Sequence, residues 1–230
     1  MSDTLPSQSK VDAALDGEIL DKDGVATTLR KVCDNKRTVV VFIRHFWCGN
    51  CVAYVSQLGQ SIPPLNLPRN TQLIIIGCGS SPPIKAYIET TCSPYPIYAN
   101  PDLTLYKSFG FKSTLSTGKP KNKDGGEGGE KAAGEAGEKS YLSGMGGSWS
   151  RLFKSLKDGP GRHLEHVASV GPKALNGGEV VFEADGTCSF IHIMQNPVDH
   201  IEIEELARVI GAQYTPISSK TKGGDKADTT

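Results

Sequence analysis

The stretch that decides the fold is Thr38-Val39-Val40-Val41-Phe42-Ile43-Arg44-His45-Phe46-Trp47-Cys48-Gly49-Asn50-Cys51. Residues 39–44 form a nearly continuous β-branched and apolar run, which is typical of a central strand covered on both faces. From Cys51 to Gln60 the pattern becomes that of a helix, with Cys51, Val55 and Leu58 on one face. Two thiols three residues apart, at the junction of a strand and a helix, predict a redox-active dithiol.

The overall composition limits the classes of function. The chain has 230 residues, enough for one sizeable domain with tails, and its 25 basic and 25 acidic side chains cancel. This balance gives no support to a nucleic-acid partner or an anionic membrane. No apolar stretch approaches the roughly 20 residues of a membrane span, and the polar N-terminus lacks the apolar core of a secretory signal. We therefore expect a soluble cytoplasmic protein whose six cysteines are mostly free thiols.

Strands and helices alternate along the chain. The predicted elements are a hairpin over 17–29 that turns at Asp23-Gly24, a buried strand over 72–77, a helix after Ser81, a short strand over 96–99, a helix after Asp102, a hairpin of strands 179–183 and 189–194, and a last helix that an Asp199–Glu202 capping box starts and Gly211 ends. This order predicts an α/β protein with βαβ units. The closing hairpin and helix favour a thioredoxin-like fold, with a central mixed sheet flanked by helices.

The predicted domain covers residues 15–212, with disordered tails at 1–14 and 213–230. Residues 113–147 carry ten glycines and almost no large apolar side chains, so they cannot bury enough surface to offset their ordering entropy. We interpret them as a long disordered insertion, because core-like sequence resumes with a predicted helix over 150–157.

The chemistry of the predicted dithiol depends on its place at the start of a helix. There Cys48 would lie exposed, facing unpaired N–H groups and the positive end of the helix dipole, which favour the reactive thiolate. Arg44 and His45 could add positive potential. Cys51, one turn further in, would be the less exposed, resolving thiol. Trp47 would offer a flat apolar surface to a partner chain.

Two other interpretations of the cysteine pair stay open. Both thiols could be ordinary core residues, or they could bind zinc together with His163 and His166. Of the remaining histidines, His192 is expected to be structural and His200 to lie on the solvated surface. Gly77-Cys78-Gly79 lacks the Gly-Lys-Ser/Thr of a phosphate loop, so we expect no nucleotide. We expect no other cofactor and no metal.

Trp47-Cys48-Gly49-Asn50-Cys51 is similar to the Trp-Cys-Gly-Pro-Cys of thioredoxins, with Asn50 in place of the proline. The wider pattern more closely resembles the AhpC/TSA antioxidant enzymes of the peroxiredoxin-like 2 family. The matching segments are Ile43-Arg44-His45-Phe46, Pro96-Ile97-Tyr98-Ala99-Asn100-Pro101-Asp102 followed by Leu105-Tyr106, and Gly177-Gly178. Thioredoxins carry a buried Asp at the position of Phe42, and typical peroxiredoxins carry a Pro-x-x-x-Thr-x-x-Cys motif that this chain lacks.

The resemblance implies a thiol-disulfide oxidoreductase in which Cys48 attacks a peroxide or disulfide and Cys51 resolves the product. It also implies an external thiol reductant of the thioredoxin or glutathione type, and a homodimer paired through sheet edges. The alternative is a non-catalytic thioredoxin-fold module that binds a partner or senses redox state. The missing peroxiredoxin motif and the long insertion favour this alternative.

Overall fold

The computed structural model describes residues 3–114, 139–142, 166 and 168–217. In these residues the elements are, in chain order, α1 (Gln8–Leu15), β1 (Glu18–Leu20), β2 (Ala26–Thr28), α2 (Leu29–Cys33), β3 (Arg37–Ile43), α3 (Gly49–Ser61), β4 (Thr71–Gly77), α4 (Ile84–Thr91), β5 (Ile97–Ala99), α5 (Thr104–Ser108), β6 (Gly178–Phe182), β7 (Cys188–Ile193) and α6 (Ile203–Ile210). Short 3-10 turns lie at Pro64–Asn66 and Ser140–Leu142. Within this part of the chain, none of the helices is both long and apolar enough to cross a membrane.

The strands form one mixed sheet in the order β2-β1-β5-β4-β3-β6-β7. The central strands β5, β4 and β3 run parallel, while β1, β6 and β7 pair antiparallel with their neighbours. The predicted α/β architecture with a central mixed sheet and flanking helices is therefore confirmed.

Strand β3 lies in the interior of this sheet, between β4 and β6. Val40, for example, pairs with Ile74 on one side and Val180 on the other. Alternate β3 side chains enter two hydrophobic clusters, one shared with α3 and α6 and the other with α1 and α5. Each fully buried aliphatic or aromatic side chain stabilises the fold by about 1.5–3 kcal/mol. The end of β3 is thereby held rigidly, and the dithiol segment begins there.

The N-terminal segment corrects the expected tail at 1–14. Residues 8–15 form α1, whose Val11, Ala14 and Leu15 are buried in the cluster shared with α5. These three residues recur at i, i+3 and i+4, a helical pattern hidden in a polar segment. Packing against the sheet, rather than intrinsic helix propensity, stabilises such a short helix.

The described parts of the predicted insertion and of the C-terminal tail also pack on the domain. Tyr141 and Leu142 are buried, and Ser113 forms a β-bridge with Leu175. Gln213 donates its N–H to the carbonyl of Asn66, 3.0 Å away. Residues 113–114, 139–142 and 213 are thus ordered parts of the domain, while 115–138, 143–147, the predicted helix over 150–157 and 218–230 lie outside the described residues.

The predicted capping box of the last helix is wrong, although Gly211 does end that helix, with φ +75°. Helix α6 begins at Ile203 with Glu202 as its N-cap residue, but the Glu202 side chain makes no capping hydrogen bond. The Glu202 carboxylate instead accepts the N–H of Ser140, and Asp199 accepts the N–H of Gln195. Glu202 therefore makes a long-range contact and Asp199 a local loop contact in place of the predicted capping box.

The outer edge of β7 is partly covered by the chain itself. Asp3 donates its N–H to the carbonyl of Ile191 and accepts the N–H of Ile193 through its carboxylate. Pairing of two copies along this edge would have to displace the N-terminal residues. The homodimer expected from the resemblance stays a prediction.

Candidate active site

The dithiol lies in the short connection between β3 and α3. Cys48 is the N-cap residue of α3, and its N–H donates to the carbonyl of His45 at 3.0 Å. Its own carbonyl accepts the N–H of Val52 at 2.9 Å, so the first helical turn closes directly on the cysteine. This geometry places Cys48 at the positive end of a thirteen-residue helix, with Cys51 inside the first turn.

Both sulfur-bearing side chains are buried. Cys48 is 4% exposed and Cys51 0% exposed. Cys51 is the less exposed thiol, as expected, but the expectation of an exposed Cys48 is wrong. The segment that follows residue 168 covers the connection between β3 and α3. Phe46 donates its N–H to the carbonyl of Val170, and the Arg44 side chain donates to the carbonyl of Lys173.

Arg44 is the buried cation of the site. Its Nη1 lies 3.5 Å from Cys48 Sγ, its Nε donates to Asn176 Oδ1 at 3.2 Å, and its Nη2 donates to the Lys173 carbonyl at 2.7 Å. The main-chain N–H of Arg44 also donates to Cys51 Sγ at 3.4 Å. One residue therefore contacts both sulfurs and anchors the segment that covers them.

These contacts shift the pKa values of the two thiols in opposite directions. The S–H of Cys51 donates to Cys48 and holds the pKa of Cys48 well below its ordinary value, and the charge of Arg44 adds to this effect. Burial, together with the same hydrogen bond, raises the pKa of Cys51 well above its ordinary value. Burial also lowers the pKa of His45, so its ring is mostly neutral at neutral pH and Arg44 is the permanent positive charge. Cys48 is accordingly the thiolate of the pair and Cys51 the protonated partner.

The side chains of His45 and Trp47, which the sequence analysis assigned to the site, lie inside the protein. His45 is buried, and its Nδ1 has no hydrogen-bond partner among the described residues. Trp47 packs in the hydrophobic cluster that also holds Cys48 and Cys51. The expectation that Trp47 presents a surface to a partner chain is therefore wrong for this conformation, because that face is used in the core.

A buried His–Glu pair that the sequence analysis missed adjoins Cys51. His200, expected on the solvated surface, is 0% exposed; its Nε2 lies 3.4 Å from Cys51 Sγ and its Nδ1 lies 2.7 Å from Glu179 Oε1. The His200 ring stacks on Tyr54 with 4.3 Å between ring centroids. One signal was available, since Glu179 is an acid in a strand that the pattern buries, and a buried carboxylate needs a partner.

The other cysteines take no part in this pair. Cys78 donates its S–H to the Arg44 carbonyl at 2.6 Å, and burial raises its pKa to about 12. Cys92 is exposed. In the part of the chain that the structure describes, no group of three or more His, Cys, Asp or Glu side chains is arranged to hold a metal ion. Of the two histidines in the zinc interpretation, His163 lies outside the described residues.

Comparison with known proteins gives matches over most of the chain. Residues 57–196, more than half of the chain, match the family described as AhpC/TSA antioxidant enzyme. This stretch runs from within α3 beyond the end of β7; it includes Glu179 and begins after Cys51. The match therefore rests on the body of the fold rather than on the dithiol.

Two relatives and one solved structure agree with this match. Human Peroxiredoxin-like 2C is 27% identical over 202 residues, covering 88% of this chain and 80% of that protein. Peroxiredoxin-like 2C of Takifugu rubripes is 25% identical over 207 residues, covering 89% and 83%. The crystal structure of a PrxQ mutant from Xylella fastidiosa superposes with a TM-score of 0.50 at 11% identity, covering 92% of this chain and 94% of that one, which shows the shared fold. The chain thus belongs to the AhpC/TSA antioxidant-enzyme family, in its thioredoxin-like, peroxiredoxin-like 2 branch.

Proposed function

We propose that the chain is a thiol-disulfide oxidoreductase of the peroxiredoxin-like antioxidant type, in which Cys48 and Cys51 reduce a peroxide or a disulfide. The observation that carries the proposal is the Arg44 guanidinium 3.5 Å from Cys48 Sγ, at the N-terminus of α3 and beside a second thiol. A cation and a helix N-terminus both stabilise a thiolate, which is the attacking form of cysteine.

With a hydroperoxide, the Cys48 thiolate attacks the terminal oxygen and the O–O bond breaks. Cys48 becomes a sulfenic acid, and the alkoxide leaves as an alcohol after it takes up one proton. Cys51 then attacks the Cys48 sulfur, forming the Cys48–Cys51 disulfide and releasing water. With a disulfide substrate, Cys48 forms the mixed disulfide and Cys51 displaces the second thiol.

The cycle needs two electrons from outside the chain. Two thiols of an external reductant, of the thioredoxin or glutathione type, would reduce the Cys48–Cys51 disulfide and become a disulfide themselves. We expect this exchange in the cytosol, where such reductants are kept reduced. Because Cys48 is 4% exposed, a small oxidant reaches it with less rearrangement than a folded protein disulfide would need.

The test is peroxide-dependent oxidation of reduced thioredoxin by the wild type and by single Cys→Ser variants. We expect Cys48→Ser to lose turnover, and Cys51→Ser to accumulate sulfenic acid at Cys48, detected with dimedone and mass spectrometry. Cys92→Ser is the matched control, since Cys92 is exposed and is not part of the buried pair. Equal rates for all four proteins would refute catalysis by the dithiol.

A second candidate is the redox-sensing or binding module. Burial of both thiols favours it, because a sensor needs to react only once per signal whereas an enzyme must admit substrate repeatedly. A sensor would form the Cys48–Cys51 disulfide with peroxide but would show no sustained oxidation of thioredoxin. The same assay, followed over many equivalents of peroxide, separates the two functions.

A further inference from the structure

The residues next to Cys51 form a continuous buried chain of polar groups. Cys51 Sγ, His200 Nε2, His200 Nδ1 and Glu179 Oε1 follow one another at 3.4 Å and 2.7 Å on the two sides of the imidazole ring. All three side chains are 0% exposed. Burying a carboxylate and an imidazole costs free energy unless the two groups are paired, so this arrangement calls for an explanation beyond packing.

We propose that His200 is the proton acceptor for Cys51 in the resolving step, and that Glu179 positions it. This inference rests on the proposed function and extends it to residues outside the Cys-x-x-Cys segment. Because a carboxylate only accepts hydrogen bonds, we assign the proton of the neutral imidazole to Nδ1, which leaves the lone pair of Nε2 directed at Cys51.

We call Cys51, His200 and Glu179 the relay, and it operates only after Cys48 has reacted. In the reduced protein the Cys51 S–H donates to the Cys48 thiolate. Once Cys48 is bonded to a substrate sulfur, that anion is gone and His200 Nε2 is the acceptor that remains within reach of the Cys51 sulfur. The S–H bond then breaks as Nε2 takes the proton, the Cys51 sulfur bonds to the Cys48 sulfur, and the substrate sulfur leaves as a thiolate. Overall, the two cysteines give up two electrons and the substrate disulfide is reduced to two thiols.

Glu179 has the geometry of a positioning residue. It projects from β6, where it pairs with Val41 of β3 and with His192 of β7. Its Oε2 accepts the N–H of Ile201 at 3.4 Å and lies 3.4 Å from His192 Nδ1, while Oε1 is left for His200. A central strand thus sets the orientation of the His200 ring and, through the hydrogen bond at Nδ1, its tautomer, as carboxylate–imidazole pairs do.

The other ionisable groups around His200 cannot replace Glu179. They are Tyr54 on α3, whose ring stacks on His200; Tyr141, whose ring meets it edge-on; and Lys139, whose Nζ donates to the His200 carbonyl at 3.0 Å. Burial raises the pKa of both tyrosines, so they stay neutral at neutral pH. Within the described part of the chain, Glu179 is the carboxylate in contact with the imidazole.

The test follows a single turnover of the reduced protein with 2,2′-dithiodipyridine, a small disulfide that releases a coloured thione at each step. Cys92 and Cys188, which are free cysteines that are not buried, are replaced by serine in every protein compared. The first phase then reports attack by Cys48 and the second reports resolution by Cys51. In Glu179→Gln and His200→Gln we expect the first phase to keep its rate and the second to slow by about 100-fold at neutral pH. The wild-type second phase should be nearly independent of pH above neutrality, whereas in both variants it should rise about tenfold per pH unit, as direct ionisation of a thiol requires.

His192→Gln is the matched control, since His192 also approaches Glu179 but is not among the hydrogen-bond partners of Cys51. Circular dichroism and the first phase report on folding. If Glu179→Gln does not fold, His200→Gln gives the same test, because Glu179 then keeps the Ile201 N–H as a hydrogen-bond donor. A second phase with the wild-type rate and pH profile in either folded variant overturns the relay. A wild-type protein that shows both normal phases but sustains no oxidation of reduced thioredoxin, with either a peroxide or a disulfide as the oxidant, would overturn the proposed function and leave the relay standing.

Discussion

Replacing Arg44 with methionine should raise the pKa of Cys48, because it removes the buried positive charge next to the sulfur. The guanidinium lies 3.5 Å from Cys48 Sγ in a buried site. Two opposite unit charges at that distance attract by about 4.7 kcal/mol at an effective dielectric constant of about 20, which is an upper limit on the thiolate stabilisation that the variant loses. The observed loss should be smaller, because the Cys51 S–H still donates to Cys48 in the variant.

The assay is the rate of alkylation of Cys48 by iodoacetamide as a function of pH, followed by peptide mass spectrometry so that Cys48 alone is counted. The pH dependence, rather than the absolute rate, gives the pKa, since burial slows access to the sulfur at every pH. Arg44→Lys should show a smaller rise, because it keeps the charge but loses the planar fork that reaches Asn176 and Lys173.

Arg37→Met is the matched control for the loss of an arginine. Arg37 begins β3 and pairs with Glu183 and the carbonyl of Ile210, at the end of the strand away from the dithiol. It should leave the pKa of Cys48 unchanged. If a folded Arg44→Met protein titrated at the wild-type pKa, the assignment of Arg44 as the cation that stabilises the thiolate would be refuted.

Two stability predictions test other parts of the structure, each by chemical denaturation of paired variants. Tyr54→Phe should raise the free energy of unfolding by about 1 kcal/mol or more, because the buried Tyr54 hydroxyl has no hydrogen-bond partner in the described part of the protein. Tyr141→Phe should lower the free energy of unfolding by about 1 kcal/mol, because it loses the hydrogen bond to the Val198 carbonyl. A loss of stability in Tyr54→Phe would contradict this. Leu15→Ala should cost about 2–5 kcal/mol, while Leu5→Ala, at an exposed position of the same segment, should change the stability by less than about 0.5 kcal/mol. Equal effects of the two leucine changes would show that α1 is not part of the core.

The positions of the central elements follow from local patterns. The apolar run before Arg44 and the helical pattern after Cys51 predict β3 and α3 to within a few residues, and Gly24 and Gly211 mark a turn and a helix end where the backbone has positive φ. These features can be predicted because strand alternation, helical periodicity and glycine's conformational freedom act over a few neighbouring residues. The sequence analysis did not predict helix α1, because its stability comes from long-range packing, which the local sequence pattern shows only weakly.

The candidate site divides in the same way. One short segment of sequence predicts that Cys48 lies at a helix N-terminus with Arg44 and His45 beside it. The prediction follows from the Cys-x-x-Cys spacing and from the strand-to-helix junction. The burial of the site cannot be predicted from this segment, because residues far along the chain cover the site. His200 shows this most clearly, since next to a helix start it has the local pattern of a solvated residue.

Local sequence alone therefore sets the strand, the helix and the two thiols at their junction, because each depends on neighbours within one or two helical turns. Tertiary structure alone decides that Glu179 and His200, distant from Cys51 in the chain, meet its sulfur inside the protein. The antiparallel pairing of β6 with β3 carries Glu179 to the dithiol end of the sheet, and the segment before α6 brings His200 above it. Contacts of this kind depend on sheet order and register, which no short stretch of sequence contains.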